Sequence, residues 1–138
     1  MNFWKGRNYL SFEIGVVGFI CFIVACDSNP CRNEVLQMVA SPNEGRKAVI
    51  FQRDCGATTG FSTQLSILRA NDEFPKEPGN TFIADTDGGQ APAGKGGGPE
   101  VKVQWVGETE LIVMHDKRAR VFLSEPTIDG VKLRYERY

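Results

Sequence analysis

Short runs of alternating apolar and polar residues recur along the chain from about residue 34 to its last residue. In residues 61–67, Phe, Thr, Leu and Ile occupy the odd positions and Ser, Gln and Ser the even ones, and residues 101–105 and 131–135 alternate in the same way. A period of two predicts strands with one buried face. We predict about eight short strands, near residues 34–39, 46–54, 61–67, 81–84, 101–105, 111–114, 120–123 and 131–135.

No stretch shows the apolar period of an amphipathic helix three turns long. The pattern therefore predicts a mainly β fold, either a small antiparallel β-sandwich or a curled meander. Two polar segments connect the strands, residues 70–80 and residues 85–99. The second is rich in glycine and has no apolar residue larger than alanine, so we expect a mobile loop that buries too little apolar surface to offset its ordering entropy.

The first 25 residues follow a different pattern. Lys5 and Arg7 precede an uncharged apolar run at 14–24, and small residues follow it, which are the three parts of a secretory signal peptide. The run has 11 residues, too few to cross a bilayer as a helix, which takes roughly 20. The stretch Ile23-Val24-Ala25-Cys26, which overlaps the end of this run, looks like a bacterial lipobox. There the signal peptide is cut before a cysteine that carries lipid. Ordinary secretion and an uncleaved signal anchor are the alternatives.

This reading predicts a signal peptide at residues 1–25, a lipidated Cys26 with a tether at 26–32, and one β domain at 33–138. Two or three acyl chains, palmitate among them, would hold the domain almost permanently on the membrane, since one chain alone binds only marginally. We expect it in the bacterial cell envelope, on the extracytoplasmic side. Asp27 resembles the residue that retains lipoproteins in the inner membrane of some Gram-negative bacteria.

Charge gives no sign of a nucleic-acid partner. Without Lys5, Arg7 and Glu13, the remaining 113 residues carry 14 basic and 16 acidic side chains. Proteins that bind nucleic acid usually have a strongly basic face. We therefore expect the membrane, and an envelope protein or another envelope component, as partners.

The cysteines fit an oxidising compartment. Cys21 would leave with the leader and Cys26 would take the lipid, so Cys31 and Cys55 remain as one pair, typical of a disulfide. The predicted strands at 34–39 and 46–54 flank a turn-rich link centred on Asn43. Residues paired across that hairpin have numbers that sum to about 86, as those of Cys31 and Cys55 do, so the two cysteines should face each other where the hairpin opens.

Two motifs in the glycine-rich segment resemble ligand loops. Residues 89–95 fit the start of a phosphate-binding loop up to Lys95, but Gly96 replaces the Ser or Thr that holds magnesium and no helix is expected to follow. Asp85-Thr86-Asp87-Gly88 resembles the start of a calcium loop, but that loop's glutamate at position twelve is again Gly96. We predict no nucleotide, metal or other cofactor.

His115 is the only histidine, and we expect it at the surface or rim at the end of a strand. A hydrolase would need His115, Asp54 and a hydroxyl of Thr58 or Thr59 to converge, yet no nucleophile motif such as G-x-S-x-G is present. We therefore predict no catalytic residues, with an extracytoplasmic hydrolase using His115 as an alternative.

Two stretches resemble a family of small bacterial lipoproteins of unknown function. They are residues 41–48, Ser-Pro-Asn-Glu-Gly-Arg-Lys-Ala, and residues 53–64, Arg-Asp-Cys-Gly-Ala-Thr-Thr-Gly-Phe-Ser-Thr-Gln. The resemblance spans roughly residues 31–69, with a vaguer match at 101–105. It implies no activity.

These observations favour a non-enzymatic envelope lipoprotein whose β domain, braced by one disulfide, binds a protein or another envelope component. An immunity protein against a toxin, an inhibitor of a cell-wall hydrolase and a purely structural spacer also fit. Loops on a rigid sheet often carry recognition, so we predict binding in the loops at 56–60 and 85–99. The residues singled out there are Gly56, Thr58, Thr59, Asp85, Asp87 and Lys95.

Overall fold

The structure, a computed structural model, describes residues 30–138. The predicted signal peptide, the lipid site at Cys26 and Asp27 lie outside the described residues. The described part forms nine strands: β1 (Arg32–Ala40), β2 (Arg46–Asp54), β3 (Ser62–Arg69), β4 (Phe82–Asp85), β5 (Val101–Trp105), β6 (Glu110–His115), β7 (Arg120–Ser124), β8 (Thr127–Ile128) and β9 (Val131–Arg137).

The strands form two sheets that pack on one shared core. The first sheet has the strand order β1-β2-β3-β4-β7, and the second has the order β5-β6-β9-β8. Apolar side chains from both meet in the core, among them Ile50, Leu65 and Phe82 from the first sheet and Leu111 and Val113 from the second. The prediction of a mainly β fold is confirmed, and the arrangement is that of a small sandwich. The strand beyond the predicted eight is the two-residue β8. No helix within residues 30–138 is long and apolar enough to cross a bilayer.

The first hairpin forms nearly in the predicted register. From Arg32↔Asp54 to Val35↔Phe51 the paired numbers sum to 86, and beyond a bulge at Leu36 they sum to 87. One step further out, Cys31 and Cys55 form the predicted disulfide, with an S–S distance of 2.07 Å.

β9 departs from the antiparallel expectation because it pairs parallel with β6. Between those two strands the chain crosses to the first sheet, where β7 pairs with β4, and returns through β8. It therefore re-enters the second sheet in the direction of β6.

The sandwich has two distinct ends. The disulfide end carries the Cys31–Cys55 bridge and the connections at 56–60, 86–99 and 116–119. The opposite end carries the turns at 41–45, 70–72, 106–109 and 129–130. Arg46 joins the sheets there through an ion pair with Asp129, at 3.5 Å.

Candidate functional site

The outer face of the first sheet, the face turned away from the core, is covered over β2 and β3. Phe51, Gln64 and Ser66 project from this face and yet are buried, because the segment 70–80 lies across them. The ring of Phe74 packs edge-on against Phe51, with 5.1 Å between centroids, and the Gly79 amide donates to Gln64 Oε1 at 2.7 Å. The predicted polar connection is therefore a packed layer.

Arg53 lies under the same cover and is 7% exposed. Its Nη1 donates to Asn33 Oδ1 at 2.7 Å and to the Lys76 carbonyl at 2.8 Å. Asn33 Nδ2 in turn donates to the carbonyls of Pro75 and Glu77. These bonds meet the requirement that a buried polar group be hydrogen-bonded, and they fasten the cover to β1 and β2.

A row of polar residues crosses all five strands of this sheet at the disulfide end. Each is the direct cross-strand neighbour of the next: Asn33, Arg53, Ser62, Asp85 and Arg120. The row begins under the cover on β1 and emerges from it on β4 and β7.

Over β4 and β7 the outer face is open. We call this region the open face; it comprises Ile83, Asp85, Asp87, Arg120, Phe122 and Leu123. Ile83 and Leu123 are paired across the strands and partly buried. Phe122 is 60% exposed, the largest exposed fraction among the large hydrophobic side chains of the described residues.

The exposure of Phe122 follows from an irregularity in strand pairing. Ile83 pairs with Leu123 and Ala84 pairs with Val121, so Phe122 is the extra residue of a bulge. Bulges redirect side chains and often lie near functional sites. Its ring does not join the core, and the Arg120 guanidinium lies over it, 5.1 Å from the centroid.

Three charged groups form a fixed cluster beside this ring. Arg120 donates Nη2 to Asp85 Oδ2 at 2.5 Å and Nε to Asp85 Oδ1 at 3.2 Å, a two-point contact that fixes geometry. Asp87 Oδ1 lies 3.4 Å from Arg120 Nη1, and the Asp87 amide donates to Asp85 Oδ1. Burial raises the pKa of Asp85, but the hydrogen bonds from Arg120 and the Asp87 amide and the charge of Arg120 outweigh it, so that pKa lies below its ordinary value.

The predicted loop at 56–60 lies at the disulfide end and is exposed. Asp54 Oδ1 accepts from the Gly56 amide, and Thr59 bonds back to the Gly56 carbonyl. Gly56 has a φ of 108°, which favours glycine. Thr58 is exposed, and none of the hydrogen bonds found within residues 30–138 connects this loop to Asp85, Asp87 or Lys95.

The expectation of a mobile loop at 85–99 is wrong for its second half. Gly96, Gly98 and Pro99 are buried, and Thr63 Oγ1 donates to the Pro99 carbonyl at 2.6 Å. The glycines let the backbone approach the sheet closely, because an added Cβ at Gly98 would lie 2.5 Å from Thr63 Oγ1. Backbone contact therefore replaces the apolar burial that the segment lacks. Lys95 is exposed on this segment, which leads into β5 and not into a helix.

His115 is buried, not at the rim as expected. It is 3% exposed, and its ring lies 5.1 Å from that of Phe82. Nδ1 contacts the Asp116 carbonyl at 2.9 Å, while the Asp116 carboxylate bonds Arg118, which lowers the pKa of Asp116 to about 2. Within residues 30–138, no hydrogen bond connects His115 with Asp54, Thr58 or Thr59.

Three other features of the described residues concern metal ligands, a surface groove and the calcium-loop motif. No group of three or more His, Cys, Asp or Glu side chains in that part of the chain is arranged to hold a metal ion. At the opposite end, the turns of both sheets line a shallow groove of about 880 Å³. Arg120 holds the carboxylates of the calcium-loop-like Asp85 and Asp87.

Sequence reasoning found Asp85 and Asp87 but not Arg120 or Phe122. Residues 121–123, Val-Phe-Leu, are three apolar residues in a row, which breaks the alternation expected of a strand with one buried face. That break was the available signal of a bulge. Comparison of the chain with protein-family models, curated proteins and solved structures finds no match.

Proposed function

We propose that this protein is a membrane-anchored lipoprotein of the bacterial envelope that works by binding and not by catalysis, with the open face as its recognition surface. The observation that carries the proposal is the difference between two parts of the outer face of the first sheet. Residues 70–80 bury the outer face over β2 and β3. Over β4 and β7, the ring of Phe122 and the ion cluster of Arg120 with Asp85 and Asp87 are exposed. Aromatic residues and arginine are the side chains most enriched where proteins bind.

The disulfide supports an extracytoplasmic location, since such bonds persist in oxidising compartments. It also ties the start of the domain to one end of the sandwich. Cys31 lies five positions after Cys26, a reach of at most about 18 Å. A lipid on Cys26 would therefore hold the disulfide end close to the membrane.

The placement of His115 supports a non-enzymatic role. Its ring lies in the core beside Phe82, and the carboxylate next to it in sequence is taken by Arg118. A general base must reach the proton that it removes, and neither Thr58 nor Thr59 is hydrogen-bonded to this ring. The immunity-protein and inhibitor hypotheses are narrower versions of the binding role.

The anchor is tested by the intact mass of the protein isolated from membranes, before and after reduction. We expect the mass of residues 26–138 plus acyl chains, with a gain of two hydrogens on reduction. The Cys26→Ser variant should lose the acyl mass and the membrane association. A parent mass equal to all 138 residues with free thiols would overturn the anchor and the envelope location.

The recognition surface is tested by photo-crosslinking in cells. A photoreactive phenylalanine analogue at position 122 should give a defined adduct. The same analogue at Val106, which is exposed at the opposite end, serves as the matched control and should give none. Equal labelling from both positions, or none from position 122, would overturn the open face as the recognition surface.

A further inference from the structure

We infer that the open face binds a saccharide, with one sugar ring stacked on Phe122 and its hydroxyls held by the Asp85–Arg120–Asp87 cluster. This inference rests on the proposed function, because it names the ligand class of the same surface. A pyranose has an apolar face of C–H groups and a rim of hydroxyls. A site for it needs a flat apolar platform next to fixed donors and acceptors.

The platform is the ring of Phe122. The Arg120 guanidinium lies over the ring, and the residue is still 60% exposed. The face of an aromatic ring carries partial negative charge, which attracts the slightly positive C–H groups of a sugar. Ile83 and Leu123 are partly buried on the same face of the sheet.

The donors and acceptors come from the ion cluster. Arg120 is held at both ends of its guanidinium, by Asp85 and by Asp87, so the three groups keep their positions when a ligand arrives. The side chains of Arg120 and Asp87 are each about half exposed, which leaves N–H groups and carboxylate lone pairs for a ligand. A hydroxyl both donates and accepts, and this cluster offers both functions side by side.

Ser62 adds a hydroxyl at the margin of the site. It is the cross-strand neighbour of Asp85, and its Oγ accepts from Gln64 Nε2 at 2.8 Å. The Ser62 hydroxyl proton is not used in that bond, so it can be donated to a ligand. Hydrogen bonds of this kind fix the orientation of a ligand more than they add affinity.

The charge and size of the site favour a neutral sugar over other ligands. Two carboxylates and one guanidinium leave a net charge of −1, which disfavours phosphate groups. A stable protein interface buries about 800 Å² on each side around an apolar centre. Here a single exposed ring is bordered by charged groups. Its area is closer to that of one sugar ring than to that of a protein interface.

The test uses the full-length protein purified from membranes in detergent. Binding is measured by cosedimentation with purified peptidoglycan and, separately, with a purified envelope polysaccharide free of peptidoglycan, so that the two glycan sources are distinguished. Phe122→Leu keeps an apolar side chain but removes the flat ring, and should weaken binding about tenfold. Phe122→Trp should retain it, and Asp85→Asn should weaken it.

Phe61→Leu is the matched control, because it makes the same change at another exposed ring and should leave binding unchanged. Equal unfolding midpoints for all variants exclude misfolding as the cause. Parent binding that Phe122→Leu leaves intact, or loss of binding in Phe61→Leu as well, would overturn the inference. If the parent binds neither glycan while a crosslinker at position 122 captures a protein, the saccharide is wrong and the recognition surface stands. If both experiments fail, the open face is overturned as the recognition surface as well.

Discussion

The two halves of the outer face of the first sheet differ in what lies over them. Over β2 and β3, residues 70–80 bury Phe51 beneath Phe74 and satisfy Arg53 and Gln64 with hydrogen bonds. Over β4 and β7, Phe122 and Arg120 form their own contacts and stay exposed. Both halves belong to one sheet, and the covering segment turns into β4 without crossing to β7. Burial on the covered half stabilises the fold, whereas the exposed ring of the open face contributes little to it and is available to a ligand.

Replacing one phenylalanine in each half tests this comparison most strongly. Phe51→Ala removes a fully buried ring and should lower the free energy of unfolding by about 3–5 kcal/mol. Phe122→Ala should change it by less than about 1 kcal/mol, because only an exposed cation–π contact is lost. Urea unfolding followed by circular dichroism measures both. Similar losses for the two variants would show that the open face is part of the structural core.

The disulfide should stabilise the covered half next most strongly. The bridge joins residues 24 apart and lies beside Asn33, which holds the cover. Loop entropy predicts a loss of about 3 kcal/mol for the Cys31→Ser/Cys55→Ser variant. Thermal unfolding of the parent with and without reductant provides the control, since the reduced parent should match the double variant. A midpoint unaffected by either change would contradict the bracing role.

The alternation of residues predicted most of the strands and the first hairpin. Phe61–Ile67 shows why, because its pattern reports directly which side chains face the core. It cannot report whether the second face is also covered. Arg53 and Gln64 are polar, as expected of an exposed face, and their burial depends on residues 23 and 15 positions away in sequence.

The candidate site was predicted only in part for a similar reason. Asp85 and Asp87 stand out in a turn, whereas their partner Arg120 is 35 residues from Asp85 and reaches it through strand pairing. The glycine-rich segment was wrongly predicted to be mobile. Its composition shows that it lacks apolar side chains, but it does not show that the backbone packs closely on the sheet. Phe74, a single aromatic residue in a polar stretch, was the available sign that residues 70–80 pack on the sheet.

Gly98→Ala tests the close contact on the inner face, opposite the covered half. The new Cβ would lie 2.6 Å from the Thr63 amide nitrogen, so backbone must shift, at a cost of about 1–3 kcal/mol. Gly60→Ala is the control, because nothing lies within 4 Å of the added Cβ, and it should change stability by about 0.5 kcal/mol or less. Chemical unfolding separates the two cases. A Gly98→Ala variant as stable as the parent would mean that the segment is not packed on Thr63.

The smallest effect concerns Tyr135, which supports the open face from behind. Its hydroxyl donates to the Glu125 carbonyl at 2.7 Å, and its ring stacks on Phe82 of β4. Burial, followed by the charge of Glu125, raises the pKa of Tyr135 from 10.0 to about 12. The folded state therefore favours the neutral phenol, so this contribution is complete below pH 10 and is lost as the pH rises from 10 to 12. Because the phenol is only about half-buried, we expect a loss on the order of 1 kcal/mol. Unfolding measured between pH 9 and 12 should show this decline in the parent and not in Tyr135→Phe, and an equal decline in both would assign it to other groups.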